Sequence, residues 1–196
     1  MDSAVATGII AGFALLVSPA TTRGSPQEIP RQVLEQYCEL DAQGKQLTPD
    51  GWNQVAMLFI TAGAPRLDKV VIIKDFVVSN PNLREGKAEF YVEYIQLGMI
   101  ESSTAKFLHL PPVKVRAGFD LVLTNKPVGV GPGGSGTKML GSPQWRIDGA
   151  IPEPHLTVDA AIRYAVHLRD QAPDESTRRH AEAAIAALKR LRPHSG

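Results

Sequence analysis

The residues of this chain whose types could do chemistry are few and scattered. Tyr37, Asp41, Tyr94 and His155 are the kinds of group a small lyase, hydratase or isomerase uses. Such chemistry needs a general base tuned to a useful pKa and a donor for a developing oxyanion. Asp41 falls near the end of a helical segment and is expected to be exposed. His155, between Pro154 and Leu156, falls in the loop before a later helix, where a solvent-facing role outweighs a catalytic one. Tyr94 is expected on an inward strand face, where a tyrosine is more often a core residue whose hydroxyl finds a partner. Cys38 is the single cysteine, so no intrachain disulfide can form. It is expected to be a buried, inert thiol, because no histidine precedes His109 to activate it. The five histidines, His109, His155, His167, His180 and His194, have no paired spacing, and there is no HExxH. No metal site and no cofactor are expected. His167 falls with Arg163 and Asp170 on the polar side of its helix.

One glycine-rich run imitates a nucleotide loop. Residues 128–138 contain Gly129, Gly131 and Gly134 at dinucleotide-fingerprint spacing, and Gly131 and Gly136 before Thr137-Lys138. Both motifs need a strand before and a helix after, because the helix N-terminus helps hold the phosphate. Here a strand-like segment follows, so the run is expected to be a hairpin loop.

The elements that must position these groups come in a definite order. Val33, Leu34, Tyr37, Cys38 and Leu40 mark an amphipathic helix, with Pro30 in its first turn and Gly44 at its end. Thr48-Pro49-Asp50 starts a second helix carrying Trp52, Val55, Leu58 and Phe59 and ending near Gly63. Residues 69–78 are rich in Val and Ile, a strand signal. Residues 87–100 alternate, with Ala88, Phe90, Val92 and Tyr94 on one face. Residues 113–124 do the same through Ala117, Phe119, Leu121 and Leu123, and residues 144–149 through Trp145 and Ile147. The alternation places Glu89, Glu93, Arg116, Asp120, Arg146 and Asp148 on the wet face, where they can pair across strands. The apolar face is left without an obvious carboxylate or histidine. After Thr157 come two helical segments, 158–171 and 175–191, expected to form a hairpin.

Composition bounds the class of protein. The 196 residues, 43% hydrophobic and 21% charged, are enough for one core and an appendage. Lys and Arg total 21 against 20 Asp and Glu, a net charge of +1 that gives no whole-chain field for nucleic acid. Residues 4–17 are almost wholly apolar, too short for a membrane span of about 20 residues. With Ser18-Pro19-Ala20 they predict a signal peptide over 1–20, although the segment lacks a basic start. Export to a secreted or periplasmic location is expected, with no stable membrane span after cleavage. Residues 21–29 are expected to be a linker.

The helix pattern around Tyr37, Leu40, Asp41 and Gly44, then Trp52 and Phe59, then the closing Trp145-Arg146-Ile147-Asp148, resembles the nuclear transport factor 2-like superfamily. That cone is shared with ketosteroid isomerase and scytalone dehydratase. The likeness spans 30–151 and implies an α+β fold, N-terminal helices packed on a curved antiparallel sheet (a cystatin-like cone). Residues 152–196 would be an added C-terminal helical hairpin. Enzymes of the superfamily place Asp, His, Tyr or Arg inside the cone, but their pairing of a base carboxylate with an acid partner is not recognisable here, and no catalytic residue is carried over. The expected function is an exported, non-catalytic binding or interaction module. Its cavity would be lined by Tyr37, Trp52, Phe59, Phe90, Tyr94, Phe119 and Trp145, for an apolar small molecule. The alternative is a small lyase, hydratase or isomerase acting in the same cavity. A homodimer through the sheet face rests on fold analogy alone.

Overall fold

The computed structural model describes residues 28–63, 67–125 and 143–192. The expected signal segment, residues 21–27 of the expected linker and the glycine-rich run all lie outside them. Helix α1 (Glu28–Ala42) carries Leu34, Tyr37 and Cys38 on its buried face. Its first two residues, 28 and 29, fall in the expected linker. It stops at Gly44, whose φ of 80° is the left-handed conformation that glycine adopts without a Cβ penalty. A 3-10 turn (Lys45–Leu47) leads into α2 (Pro49–Ala56), where the Thr48 hydroxyl accepts from the Gly51 backbone N–H at 3.2 Å. The expected second helix runs too far: α2 ends at Ala56, and Phe59 bridges instead to Ile147.

Six strands follow: β1 (Lys69–Val78), β2 (Asn82–Arg84), β3 (Lys87–Glu101), β4 (Phe107–Thr124), β5 (Gln144–Asp148) and β6 (His155–Thr157). They form one strongly curled mixed sheet in the order β5-β4-β3-β1-β6, with β2 paired to β3. All neighbours are antiparallel except β6, which runs parallel to β1. The chain is α+β, as expected, but β4 begins six residues earlier than the alternation suggested, and β2 and β6 fall in segments expected to be turn and loop. Among the described residues β5 covers β4 only over 120–124, so residues 107–119 have a single strand neighbour.

Helices α3 (Val158–Asp170) and α4 (Glu175–Leu191) follow. Thr157 caps α3 and Asp174 caps α4, each through a side-chain oxygen accepting a backbone N–H. The sheet therefore has apolar material on both faces. On one, α1, α2 and the segment after α2 bury Leu34, Tyr37, Val55 and Phe59 against Val71, Ile73, Phe90, Tyr94 and Leu121. On the other, α3 and α4 bury Ile162, Ala165, Ile185 and Leu188 against Val70, Ile72, Leu97 and Ile100. The segment after residue 151 thus contributes a strand to the sheet and closes its second face.

Two irregularities in the strands shape the double core. The β3–β4 register shifts between Gln96 and Gly98, and β1 shifts between Ile73 and Phe76. An extra residue in a strand re-aims every side chain beyond it. Phe90, Val92 and Tyr94 face α1 and Leu97 the other side by alternation, and the shift turns Ile100, which shares their parity, toward α3 and α4 as well. Gly98 sits in this bulge with no room to spare. A Cβ there would lie 2.4 Å from the Leu108 carbonyl oxygen and 2.7 Å from the Phe107 ring.

The charged face holds as expected for most members. Lys114 pairs with Glu93 at 2.7 Å, and Arg116 lies over the Tyr91 ring at 3.8 Å. Arg146 departs from it. It is only 4% exposed, because its guanidinium donates to the Met57 carbonyl just past α2 and to Gln144. The end of α2 covers the sheet edge there, so the outward position of β5 is not a wet one.

Gly98→Ala should therefore destabilise the protein by about 1–3 kcal/mol. Gly118→Ala, whose Cβ would meet nothing closer than 3.8 Å, should change stability by less than about 0.5 kcal/mol. Urea denaturation of the two variants checks the contrast, and equal losses would contradict the packing at the bulge.

Candidate functional site

Tyr37, Cys38 and Asp41 are spaced so that all three fall on the sheet-facing side of α1. Asp41 is 1% exposed, so the expectation that it is exposed at a helix end is wrong. The chain crosses directly over it: the 3-10 turn brings Gln46 to one side and β6 brings His155 to the other. Gln46 donates from Nε2 to Asp41 Oδ1 at 2.8 Å and to the Tyr37 hydroxyl at 3.2 Å. The His155 backbone N–H donates to Oδ1 at 3.1 Å, and its ring Nδ1 lies 3.2 Å from Oδ2. Thr157 fastens the same strand by donating its hydroxyl proton to the Ala42 carbonyl at 3.1 Å.

His155 is likewise not the loop residue expected. It pairs with Val71 in β6 and is largely shielded from solvent. The Tyr94 ring stacks on its imidazole, centroids 4.1 Å apart and planes 9° from parallel. The face read from sequence as lacking a carboxylate and a histidine contains both. The missed signal for Asp41 was its four-residue spacing from Tyr37, which alone places it on the buried stripe. His155 carried no comparable signal, since a three-residue strand behind Pro152 and Pro154 shows no alternation.

The electrostatics follow from burial. Desolvation pushes the Asp41 carboxyl above its ordinary 3.8, while hydrogen bonds and the charge of His155, and a hydrogen bond from Tyr37, pull it back. Desolvation also raises the Tyr37 and Tyr94 hydroxyls well above 10. The Cys38 thiol, 3.8 Å from the Tyr94 hydroxyl, is pushed by burial to about 12. It stays protonated and is no nucleophile. When Asp41 is ionised its carboxylate only accepts, so Nδ1 of His155 carries a proton, and in the neutral ring Nε2 is then the acceptor.

Beside this cluster opens a cavity of about 230 Å³, lined by Val71, Tyr94, Met99, Val115, His155 and Gln96. Lys69 and Glu153 stand at it as an ion pair 3.2 Å long. A small guest there would meet apolar side chains and one imidazole held in a single orientation. Such an imidazole can accept a hydrogen bond or a proton.

The seven residues expected to line one cavity do not converge. Tyr37, Phe59, Phe90 and Phe119 are packed core, with Tyr37 edge-on to Phe59 at 5.2 Å and tilted against Phe119 at 5.6 Å. Trp52 packs, partly buried, against that core. Trp145 lines a separate groove beside α1 with Val33 and Leu58. Tyr94 alone reaches the cavity beside His155. Among the described residues no cluster of three or more His, Cys, Asp or Glu could hold a metal ion, and no helix is long and apolar enough to cross a membrane.

Compared with known proteins, the chain matches no family model, no curated protein and no solved structure.

The raised Asp41 carboxyl has a signed consequence. A group whose folded pKa lies above its unfolded value stabilises the fold below the unfolded value and loses that contribution as pH rises through the folded one. The stability of the wild type minus that of Asp41→Asn should therefore be largest below about pH 4 and shrink as the pH is raised. Urea midpoints measured across this range for both proteins test it, and a difference that grows with pH would show the carboxyl to be lowered instead.

Proposed function

We propose that this chain is an exported small-molecule-binding domain built on a nuclear transport factor 2-like cone. Its ligand sits at the mouth of the cone, beside His155. The supporting observation is the Asp41–His155 pair next to a cavity of about 230 Å³. Burying a carboxylate is costly unless it is well partnered, and here the partners orient one imidazole beside the opening. The deeper interior is filled by Tyr37, Phe59, Phe90 and Phe119, so a guest has room only at the mouth. The chemistry of the opening suits a compact molecule with an apolar body against Val71, Met99 and Val115 and one polar group for His155. The α1–α2 face is then the inside of the cone, and α3 and α4 are additions that back its wall.

The same pair favours a second function, that of a small hydratase, lyase or isomerase. His155 Nε2 would be the general base, Asp41 would hold the ring through Nδ1, and Gln96 or Lys69 would donate to the developing oxyanion.

Cyclohexanol, a compact probe of this kind, should bind saturably and shift the Tyr94 and His155 ring resonances in NMR titrations. His155→Gln should weaken binding about threefold to tenfold, the range of one hydrogen bond. Shifts confined to Trp145 would place the site elsewhere. If the chain is an enzyme, a β-hydroxy ketone should be dehydrated at a rate that falls at least about 100-fold in His155→Gln. Saturable binding without turnover leaves it a binding domain.

A further inference from the structure

A second opening lies between the end of α1, the 3-10 turn and α3, with a volume of about 440 Å³. It shares no lining residue with the cavity at His155. One continuous face of α3 forms its wall: Ala160, Arg163, Tyr164, His167 and Leu168, at helical spacings of three and four. Leu47 and Leu67 close the other side. The polar side of α3 expected from the sequence is therefore split. Arg163 and His167 face the groove, and Asp170 is held by Arg169 at 2.7 Å.

The charge in this groove is unbalanced. Of the acidic residues on α3, Asp159 pairs with Arg192 at 2.7 Å and Asp170 with Arg169. Among the described residues Arg163 has no carboxylate partner, and its hydrogen bond is to the Gln43 carbonyl at 3.4 Å. The His167 ring has no hydrogen-bond partner there either. The Tyr164 hydroxyl is taken by Ser102 at 2.8 Å, so its ring is left as an apolar surface. Arg163 and His167 are one turn apart on one face, close enough for a single anionic head group to meet both. The remaining lining is aliphatic or aromatic, and the volume lies within the usual range for ligand pockets, about 300–1,000 Å³.

We propose that this groove binds a small amphipathic carboxylate, its head on Arg163 and His167 and its tail against Leu47, Leu67, Tyr164 and Leu168. A planar guanidinium matches a carboxylate through two parallel hydrogen bonds, and the aliphatic wall rewards a tail.

Octanoate titrated into the whole chain tests this by amide NMR. The expected result is a saturable shift of residues 43–48 and 160–168. Arg163→Gln, an exposed position on α3, should weaken octanoate about tenfold, as expected for a lost charge-assisted hydrogen bond. Octan-1-ol and inorganic phosphate should each bind at least about tenfold more weakly than octanoate. The proposal is overturned if either matches octanoate, if Arg163→Gln leaves the affinity unchanged, if the shifts fall on Tyr94 and His155, or if no saturable binding occurs.

Discussion

A carboxylate taken out of water governs the architecture around it. Asp41 is enclosed at the end of α1, and its oxygens are met by donors from the 3-10 turn and from β6. Each of those segments is too short to hold its own position. Three residues of 3-10 helix and three of strand contribute little cooperative backbone structure. Their placement depends on the enclosed carboxylate, because a buried charge left without partners costs several kcal/mol. Asp41 also occupies the open side of an edge strand. By accepting the His155 N–H it gives β6 a partner where no further strand exists among the described residues.

That arrangement links the helices to the two-faced sheet. The strand that Asp41 anchors leads straight into α3, whose first turn is capped by Thr157, itself tied to Ala42. The end of α1 therefore sets where α3 begins. The bulges in β1 and β3 then divide the apolar side chains between the two helical layers. Leu97, three residues after Tyr94, lies on the other face by alternation alone, and the β3 bulge is what keeps Ile100, six residues on, in that second core.

Much of this was legible in the sequence, but unevenly. Long periodic segments declared themselves: α1, β3, α3 and α4 all appear close to where their apolar spacing places them, because tertiary burial of one face is what generates the spacing. Thr48 and Thr157 marked helix starts through the chemistry of capping. The candidate site was the least legible part. Its histidine lies in a strand too short to show a period, and its carboxylate is a polar residue on a buried stripe, where patterning predicts exposure. Arg146 failed for a related reason. Strand alternation says which way a side chain points but not whether a helix end lies over it. The aromatic residues were placed correctly as inward-facing, yet inwardness gives no information on whether a volume is filled or open.

The outer edge of β4 has a consequence for how this protein behaves when crowded. Over residues 107–119 its outward backbone groups have no strand beside them among the described residues, and such an edge is a template for joining a second molecule. Pro111 and Pro112 sit in the middle of that stretch and bring no N–H to it. Lys114, paired with Glu93, and Arg116 follow, both exposed and cationic. Two copies meeting edge to edge would have to register around a gap in their hydrogen bonding while bringing like charges together. Among the described residues the strand is thus half open, and its prolines and charges oppose growth into a fibre.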